Sequence, residues 1–383
     1  MKILHTADWH LGKTLAGYSL INDQAFILHN LKKLLKEENI DILIIAGDIY
    51  DKSVPSIEAI RLLDNFLYEV TTETNTKVLA IAGNHDNATR LAFGNRLYQK
   101  QGLHIIGEFE NILPKLTFAD DFGSVNFFFL PYFSLEKAMH VFDLKFKNLS
   151  EAFAAIINHN KPNIKTNERN ILIAHGFFSY FQQVKNAFSE LDVIDSELPI
   201  GGMDIIDIGP AEFFDYIALG HLHCAQKVAK DHIRYAGSLL KYSIAEAAQN
   251  KSVTIIELKE KGNLKVKTQQ LATLHDLCVI SGFIDDITQN PQKYVHNPAD
   301  YIFAKLKDND VVDGMFRLRQ VFDNVLGLSV AANEDINFDA VVNKEFKQDI
   351  SGMFKMFFKE LTNNKLDDEY LTIVNDVIKD LNK

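Results

Sequence analysis

Apolar residues in the first third of the chain alternate between short continuous runs and helically spaced positions. The runs "KILH", "DILIIAG" and "KVLAIAG" are typical of buried strands. Between the first two runs, apolar side chains recur every three or four positions over residues 26–35, which predicts a helix. A second helical pattern follows the second run, with Ser56 as its N-cap directly after Pro55. This repetition predicts a sheet whose faces are covered by helices.

The pattern then becomes rich in strands. Six segments predict strands: "SVNFFFLPYF", "RNILIAHG", "DYIALGHLH", "IRYAGS", "SVTIIELK" and "LKVKTQQL". The turn at residues 259–263 joins the last two of them as a hairpin. Residues 158–169, "NHNKPNIKTNER", read as a polar loop. After residue 274, the segments "YIFAKLK", "MFRLRQVFDNV" and "LGLSVAA" predict a small βαβ unit, and the pattern from residue 336 onward is helical. We therefore expect three domains, at residues 1–274, 275–335 and 336–383.

Side chains that bind metals follow several of the predicted strands. They are Asp8 and His10 after the first strand, Asp48 in "GDIYD", Asn84, His85 and Asp86 in "GNHD", His175 in "AHG", and His221 and His223 in "GHLH". In open α/β sheets, ligand sites form beyond the carboxyl ends of the strands, so these side chains can converge on one rim. Alone, each motif could be a surface turn or a polar strand edge. Their joint order behind strands favours a metal site.

The chemistry of this set suits divalent cations. Carboxylates, an amide oxygen and imidazoles together match manganese and similar ions. There are too many ligands for one ion, and a carboxylate shared by two ions about 3.5–4 Å apart is the usual arrangement for phosphoester chemistry. Gly47, Gly83, Gly176 and Gly220 flank these ligands, where we expect the backbone to turn sharply off each strand.

Composition and charge narrow the remaining possibilities. The 383 residues are 47% hydrophobic, enough for a sizeable core. Two cysteines, Cys224 and Cys278, indicate no disulfide framework. The N-terminus does not resemble a signal peptide and no apolar stretch is long enough to span a membrane, so we expect a cytoplasmic protein. The net charge of −11 argues against a large independent DNA-binding surface, although a local basic groove or a basic partner remains compatible with it.

The order D-x-H, GD, GNHD, H, GHxH is that of the calcineurin-like metallophosphoesterases. The opening "HTADWHLGK", the segment "RYAGSLLKYS" and the βαβ unit further resemble the nuclease subunits of SbcCD-type complexes, a family within that superfamily. The resemblance extends over nearly the whole chain. It implies an α/β fold: a four-layer α/β/β/α metallophosphoesterase sandwich with a small βαβ capping domain for DNA and a C-terminal helical tail.

The resemblance also implies roles for individual residues. One metal ion would be held by Asp8, His10, Asp48 and His223, and the other by Asp48, Asn84, His175 and His221. His85 would not bind metal but would face the scissile phosphate, as general acid or as stabiliser of transition-state charge. Asp86 would orient His85, and Asp51 would lie further out. Lys13, Arg90, Arg234 and Lys241 are candidate phosphate contacts, although each could equally be a solvated surface charge. Cys224 stands where such relatives often have a basic residue, which could remove a phosphate contact.

In this family the substrate is DNA, cut exonucleolytically when double-stranded and endonucleolytically when single-stranded, in repair, recombination and replication. The resemblance implies two Mn²⁺ ions, with Mg²⁺ as the alternative, and homodimers within a heterotetramer. An SbcC-type coiled-coil ATPase would bind the tail and use the ATP, since this chain has no GxxxxGK[ST] loop. Apolar residues at helical spacing over 346–357 fit such docking, or packing on their own domain.

Two other classes of function compete with this interpretation. One is a metallophosphoesterase for nucleotides or phosphoproteins, although "GDIYDKS" and "GNHD" differ from the "GDxxDRG" and "GNHE" of protein phosphatases. The other is a non-catalytic scaffold, which should have lost ligands; here every expected ligand and His85 are present.

Overall fold

The structure is a computed structural model that describes residues 1–180 and 205–330. The predicted helical tail, residues 336–383, lies outside this range. The described residues form strands β1 (Lys2–Thr6), β2 (Thr14–Leu15), β3 (Tyr18–Ser19), β4 (Ile42–Ala46), β5 (Lys77–Ile81), β6 (Leu103–Ile106), β7 (Lys115–Asp120), β8 (Gly123–Leu130), β9 (Arg169–His175), β10 (Phe178–Ser179), β11 (Ile206–Asp207), β12 (Tyr216–Gly220), β13 (Gln226–Val228), β14 (Lys230–Tyr235), β15 (Val253–Leu258), β16 (Leu264–Gln269), β17 (Leu277–Gly282), β18 (Tyr301–Leu306) and β19 (Asn324–Val330).

Four of the α-helices in the described residues begin after a polar residue whose side chain caps the first turn. Ser56 Oγ accepts a hydrogen bond from Ala59 N at 3.2 Å, which confirms the predicted N-cap. Asn148 caps another helix through Glu151 N at 2.9 Å. The helices are α1 (Ile21–Glu37), α2 (Ile57–Glu73), α3 (Ala88–Leu91), α4 (Asn95–Tyr98), α5 (Leu135–Phe142), α6 (Leu149–Asn160), α7 (Ile284–Gln289) and α8 (Gly314–Arg319). None of them is long and apolar enough to cross a membrane.

Two six-stranded sheets form the body of the fold. The first sheet has the order β16-β15-β1-β4-β5-β6, and the second has the order β13-β14-β12-β9-β8-β7. The central neighbours β1, β4 and β5 are parallel, as are β8, β9, β12 and β14. Parallel strands buried on both faces read as continuous apolar runs, which explains "DILIIAG" and "RNILIAHG".

Three buried apolar layers hold the sheets and helices together. Alternate side chains of β4 belong to two different layers. Leu43 and Ile45 pack towards α1 and α2, whereas Ile42 and Ile44 pack between the sheets. The inner layer is continued by Phe127 and other residues of the second sheet. On the far side of that sheet, α5 and α6 cover the third layer. The predicted four-layer α/β/β/α sandwich is therefore confirmed.

A small sheet of order β17-β18-β19 follows, with α7 and α8 packed against each other. The predicted strand–helix–strand unit is present, but β17 and α7 were not predicted. Asp23 of α1 ties this part to the body, since its carboxylate accepts hydrogen bonds from Tyr301 Oη at 2.9 Å and His275 N at 3.2 Å. The boundary at residue 274 stays a prediction.

The expectation of a polar loop at residues 158–169 is partly wrong. Helix α6 continues to Asn160, whose side chain is buried. Its amide donates to Asn111 O and Ile156 O and accepts from Leu113 N at 2.8 Å. The polar side chain of Asn160 thus satisfies interior backbone groups instead of facing water. The hairpin of β15 and β16 is confirmed by their antiparallel register.

A buried guanidinium joins the two sheets at the edge where β9 begins. Arg169 is 2% exposed and makes a bidentate ion pair with Asp120. It also donates to Leu258 O and Lys259 O, at the end of β15, at 3.1 and 2.7 Å. Several acceptors of both sheets therefore depend on one side chain.

We expect Arg169→Met to lower the free energy of unfolding by about 3 kcal/mol, because it leaves buried acceptors without their donor. Urea denaturation at neutral pH measures the change. The control Lys33→Met removes only an exposed pair with Glu37 and should change stability by less than about 0.5 kcal/mol. Equal stability of both variants would contradict the assigned role.

Stability should also depend on the Asp120 carboxyl in acid. Burial alone would raise the pKa of Asp120, but the hydrogen bonds from Arg169 and the Met1 amino group hold it well below its usual range. A pKa that is lower in the folded state contributes stability above about pH 4, and this contribution is lost as the pH falls further. Urea midpoints from pH 7 to 3 should therefore fall less steeply for Arg169→Met than for the wild type.

Candidate metal centre

The predicted ligands meet at the carboxyl ends of five parallel strands. Asp8, Asp48 and Asn84 follow β1, β4 and β5 of the first sheet, whereas His175 ends β9 and His221 follows β12 of the second. Backbone hydrogen bonds fasten the first loops together, with Asp8 N donating to Gly47 O and His10 N to Asp48 O, both at 3.0 Å. The convergence on one rim that the sequence indicated is what the structure shows.

The backbone at this rim is left-handed where the ligands sit. Asp8, His10 and Asp48 have φ values of 55°, 45° and 50°, and His221 has 117°. Such values are uncommon for residues other than glycine and cost of order 1 kcal/mol each. Buried Gln24 helps to hold the first loop, since its Nε2 donates to His10 O at 2.7 Å and its Oε1 accepts from the Gly12 amide at 2.9 Å.

The first ligand group lies around His10 and His223. Their Nε2 atoms are 3.1 Å apart. Asp48 Oδ2 lies 3.8 Å from His10 Nε2, and ligand atoms of Asp8, His10 and Asp48 all lie within 4.8 Å of one another. Nitrogen and oxygen donors that point at one small volume are what a divalent ion requires.

The second group lies on the other side of Asp48. His175 Nε2 is 3.4 Å from Asp48 Oδ2 and 2.9 Å from Asn84 Oδ1. His221 Nδ1 is 3.1 Å from the same Asn84 oxygen, and the His221 amide donates to Asp8 Oδ1 at 3.0 Å. All seven side chains predicted to bind metal are thus brought together, with Asp48 between the two groups.

Hydrogen bonds at the far ring nitrogens orient two of the imidazoles. His175 Nδ1 lies 2.8 Å from Ala46 O, and His223 Nδ1 lies 3.1 Å from Glu246 Oε1. Because carbonyl and carboxylate oxygens only accept, each Nδ1 is the donor, and each Nε2 faces the centre.

Burial and charge set the protonation of the centre. Burial lowers the pKa of His10 well below its usual value and that of His221 to about 3, so both rings are neutral. Burial raises the pKa of Asp8 to about 7. Burial would also raise the pKa of Asp48, but neighbouring His175 holds it far below its usual range, while Asp48 in turn raises the pKa of His175 to about 9 against the effect of burial. A divalent cation would replace this attraction and release the His175 proton.

His85 lies beside the centre, as expected, but Asp86 does not orient it. The His85 amide donates to Asp48 Oδ1 at 2.8 Å, and its ring packs edge-on to His10 with centroids 4.8 Å apart. The ring nitrogen Nδ1 lies 2.9 Å from Asp51 O. Asp86 instead accepts hydrogen bonds from the amides of Gly83, Ile49 and Tyr50, at 2.9 to 3.0 Å, and so ties the two loops together.

Two glycines permit a close approach of chain segments rather than a sharp turn, Gly220 between the two sheets and Gly83 between two loops of the first sheet. A Cβ on Gly220 would lie 1.9 Å from Ala46 O, and one on Gly83 would lie 2.2 Å from Asp48 Oδ1. Neither has a positive φ, whereas Gly47 and Gly176 do. The expectation that all four glycines are needed for turns is therefore wrong for Gly83 and Gly220.

The four basic candidates differ in their surroundings. Lys13 Nζ lies 2.8 Å from Asp51 Oδ1, beside the centre. Lys241 Nζ lies 2.8 Å from Asp276 Oδ1 and donates to Leu277 O, so it joins the small sheet to the body. Arg234 is half-buried and lies opposite Ala218 of β12, which belongs to the inner layer. Arg90 is exposed and donates to Ser53 O at 2.9 Å.

Sequence reasoning missed the two buried residues that support the loops, Gln24 and Glu246. Gln24 sits in a helix whose apolar spacing gave no hint of its contacts. Glu246 offered one weak signal, a charged residue between alanines in "SIAEAA".

Comparison with known proteins adds independent findings. A family model described as calcineurin-like phosphoesterase matches residues 1–225. A relative from Staphylococcus epidermidis (strain ATCC 12228 / FDA PCI 1200), named as the SbcD component of the nuclease SbcCD, is 34% identical over 369 residues, which are 96% of this chain and 95% of that protein.

Two solved structures are also similar. A dimetal phosphatase from Danio rerio has 12% identity and a TM-score of 0.41, with 72% of this chain and 98% of that chain covered. GAP50, the anchor in the inner membrane complex of Plasmodium, has 10% identity and a TM-score of 0.41, with 72% and 90% covered. On the family match and the relative, the chain belongs to the calcineurin-like phosphoesterases, in the group of SbcD nuclease subunits, and is a hydrolase of phosphoester bonds.

Proposed function

We propose that this protein hydrolyses phosphodiester bonds of DNA at two divalent ions that share Asp48. The observation that carries the proposal is the position of Asp48 Oδ2, 3.8 Å from His10 Nε2 in one ligand group and 3.4 Å from His175 Nε2 in the other. A carboxylate between two such groups is typical of two-metal phosphoesterases. The similarity to a protein named as a nuclease supports nucleic acid as the substrate class.

The donor set fits the two ions that the family implies. We propose that Asp8, His10, Asp48 and His223 hold one ion and that Asp48, Asn84, His175 and His221 hold the other. The mixture of carboxylate, amide oxygen and imidazole suits Mn²⁺, with Mg²⁺ as the alternative. When bound, the ions supply positive charge to phosphate oxygens and lower the pKa of bound water.

His85 then acts on the substrate rather than on the metal. Asp51 O accepts from its Nδ1 at 2.9 Å, which fixes the orientation of the ring and leaves Nε2 to face the substrate. In the role of general acid or charge stabiliser, Nε2 would carry a proton and donate it to a developing charge or to the departing sugar oxygen. Lys13, held beside the centre by Asp51, is the best placed of the four basic candidates to contact a phosphate.

We further propose that binding of long DNA needs a partner. The net charge is −11, and Lys13 and Lys241 already pair with carboxylates. Phosphate neutralisation requires additional cations, which an SbcC-type ATPase bound to residues 336–383 would supply together with ATP hydrolysis. Residues 275–335 would cap the DNA. The activity would be exonucleolytic on duplexes and endonucleolytic on single strands.

An exposed apolar surface supports homodimerisation. Val54, Ile60 and Phe93 line one cavity beside α2, and Phe93 is 81% exposed. Ile57, on the same helix as Ile60, and Leu97, four residues after Phe93, are 64% and 74% exposed. Several exposed apolar side chains on neighbouring segments are typical of a protein interface, and we propose a second copy of this chain as its occupant.

Removing the shared ligand should have a different effect from removing the neighbouring imidazole. We expect Asp48→Ala to lose bound Mn²⁺ and all cleavage of linear duplex DNA. His85→Ala should still bind two ions but cut about 10²–10⁴-fold more slowly, because only its proton transfer or charge stabilisation is lost. Calorimetric titration with Mn²⁺ and a gel assay, with and without the ATPase partner, provide the two measurements.

His140→Ala, on helix α5, is the matched control and should leave both measurements unchanged. Loss of an ion in His85→Ala would contradict the assignment of His85. If the wild type hydrolysed bis-p-nitrophenyl phosphate but cut no DNA even with partner and ATP, a small-substrate phosphoesterase would replace the nuclease.

Charged residues in the apolar patch should separate the dimer. We expect Phe93→Asp combined with Leu97→Asp to halve the mass measured by light scattering after gel filtration, because each buried carboxylate would lack a partner. Phe122→Asp, in the turn between β7 and β8, is the control. A monomeric wild type at micromolar concentration would argue against the dimer.

A further inference from the structure

Glu246 is a buried carboxylate next to the metal ligands that no step of the proposed reaction uses. It lies in the 3₁₀ turn Ile244–Ala248 and is 0% exposed. A carboxylate removed from water is costly unless cations and hydrogen-bond donors surround it. Its neighbours therefore indicate why it is retained.

Both carboxylate oxygens of Glu246 have partners. Oε1 lies 3.1 Å from His223 Nδ1 and accepts from Ser243 Oγ at 3.1 Å. Oε2 lies 2.6 Å from Lys251 Nζ, and Ser238 Oγ is 3.4 Å away. The carboxylate thus bridges the ammonium group of Lys251 and the imidazole ring of His223.

The same group of residues also holds the backbone of His223. Lys251 Nζ donates to His223 O at 2.8 Å, and Ser238 N donates to it at 3.0 Å. The carbonyl is therefore held by Lys251 and Ser238 and the ring by Glu246, so a turn of the ring would break its contact with the buried carboxylate.

The consequence for His223 is chemical as well as geometric. Because Glu246 only accepts, Nδ1 must carry the hydrogen, and Nε2 is left to face His10 Nε2 at 3.1 Å. His10 lacks an equivalent anchor: within the described residues its Nδ1 makes no hydrogen bond, and Asp51 Oδ1 is 3.6 Å away. His223 is thus the better fixed imidazole of its group.

We propose that Glu246 is a positioning residue that holds His223 in the tautomer and orientation required to bind a metal ion, and that Lys251 holds Glu246 in place. This proposal rests on the proposed function, because it takes His223 as a ligand. Carboxylates that support a ligating histidine typically contribute 10–100-fold to metal affinity.

The test is Mn²⁺ titration of full-length Glu246→Gln by calorimetry. We expect one of the two sites to weaken about 10–100-fold while the other keeps its affinity. Glu260→Gln, in the exposed turn after β15, is the matched control and should bind as the wild type does. If Glu246→Gln does not fold, Glu246→Gln with Lys251→Met removes both buried charges and takes its place.

A double-mutant cycle distinguishes positioning from general support of the fold. If Glu246 acts through His223, Glu246→Gln should cost no further Mn²⁺ affinity in the His223→Ala background. An equal loss in both backgrounds, or wild-type affinity in folded Glu246→Gln, would overturn the proposal. ¹⁵N spectra of labelled histidines should show Nδ1–H at His223 in the wild type and its loss in Glu246→Gln.

The outcomes separate this proposal from the proposed function. If the wild type binds two Mn²⁺ ions but does not cleave DNA, the proposed nuclease function is contradicted. The role of Glu246 would still be supported by the double-mutant cycle. If the wild type cleaves DNA and Glu246→Gln does not change Mn²⁺ binding, only the proposed role of Glu246 is contradicted. A wild type that binds no Mn²⁺ would overturn both.

Discussion

The close approach of two sheets at one edge is the constraint on which the centre depends. The hydrogen bond from His175 Nδ1 in the second sheet to Ala46 O in the first, at 2.8 Å, crosses that gap. Gly220 has no side chain at the point where a Cβ would lie 1.9 Å from the same carbonyl oxygen. Ligands from β1, β4 and β5 can reach ligands from β9 and β12 only because the inner apolar layer brings these strand ends together.

What could be predicted from sequence follows from this geometry. Continuous apolar runs identify parallel strands, and the polar residues just after them must lie at one rim. This reasoning located the seven candidate metal ligands and His85, which the structure brings together. The contacts of Asp86 and the support given by Glu246 could not be predicted in this way. They depend on which backbone amides and which histidine lie nearby after folding, and neither is encoded in spacing along the chain.

Basic residues illustrate the same limit. Proximity to a motif suggested four phosphate contacts, yet Lys241 joins the small sheet to the body and Arg234 lies beside Ala218 of the inner layer. A strand alternates its faces, so a residue next to a ligand in sequence can point away from the rim. The polar composition of residues 158–169 led to the wrong prediction of a loop for a related reason. Asn160 satisfies interior backbone groups that come near it only in the folded chain.

The left-handed backbone at Asp8, His10 and Asp48 links the centre to the evolution of the protein's stability. Glycine at any of these positions would relieve strain and would remove a candidate metal ligand at the same time. Selection for thermostability alone would therefore favour inactive sequences at these sites. The interior must supply a surplus of folding free energy large enough to keep such unfavourable conformations in place. The fully apolar strand β4 and the strained backbone of Asp48 that follows it therefore form one trade-off between robustness and activity.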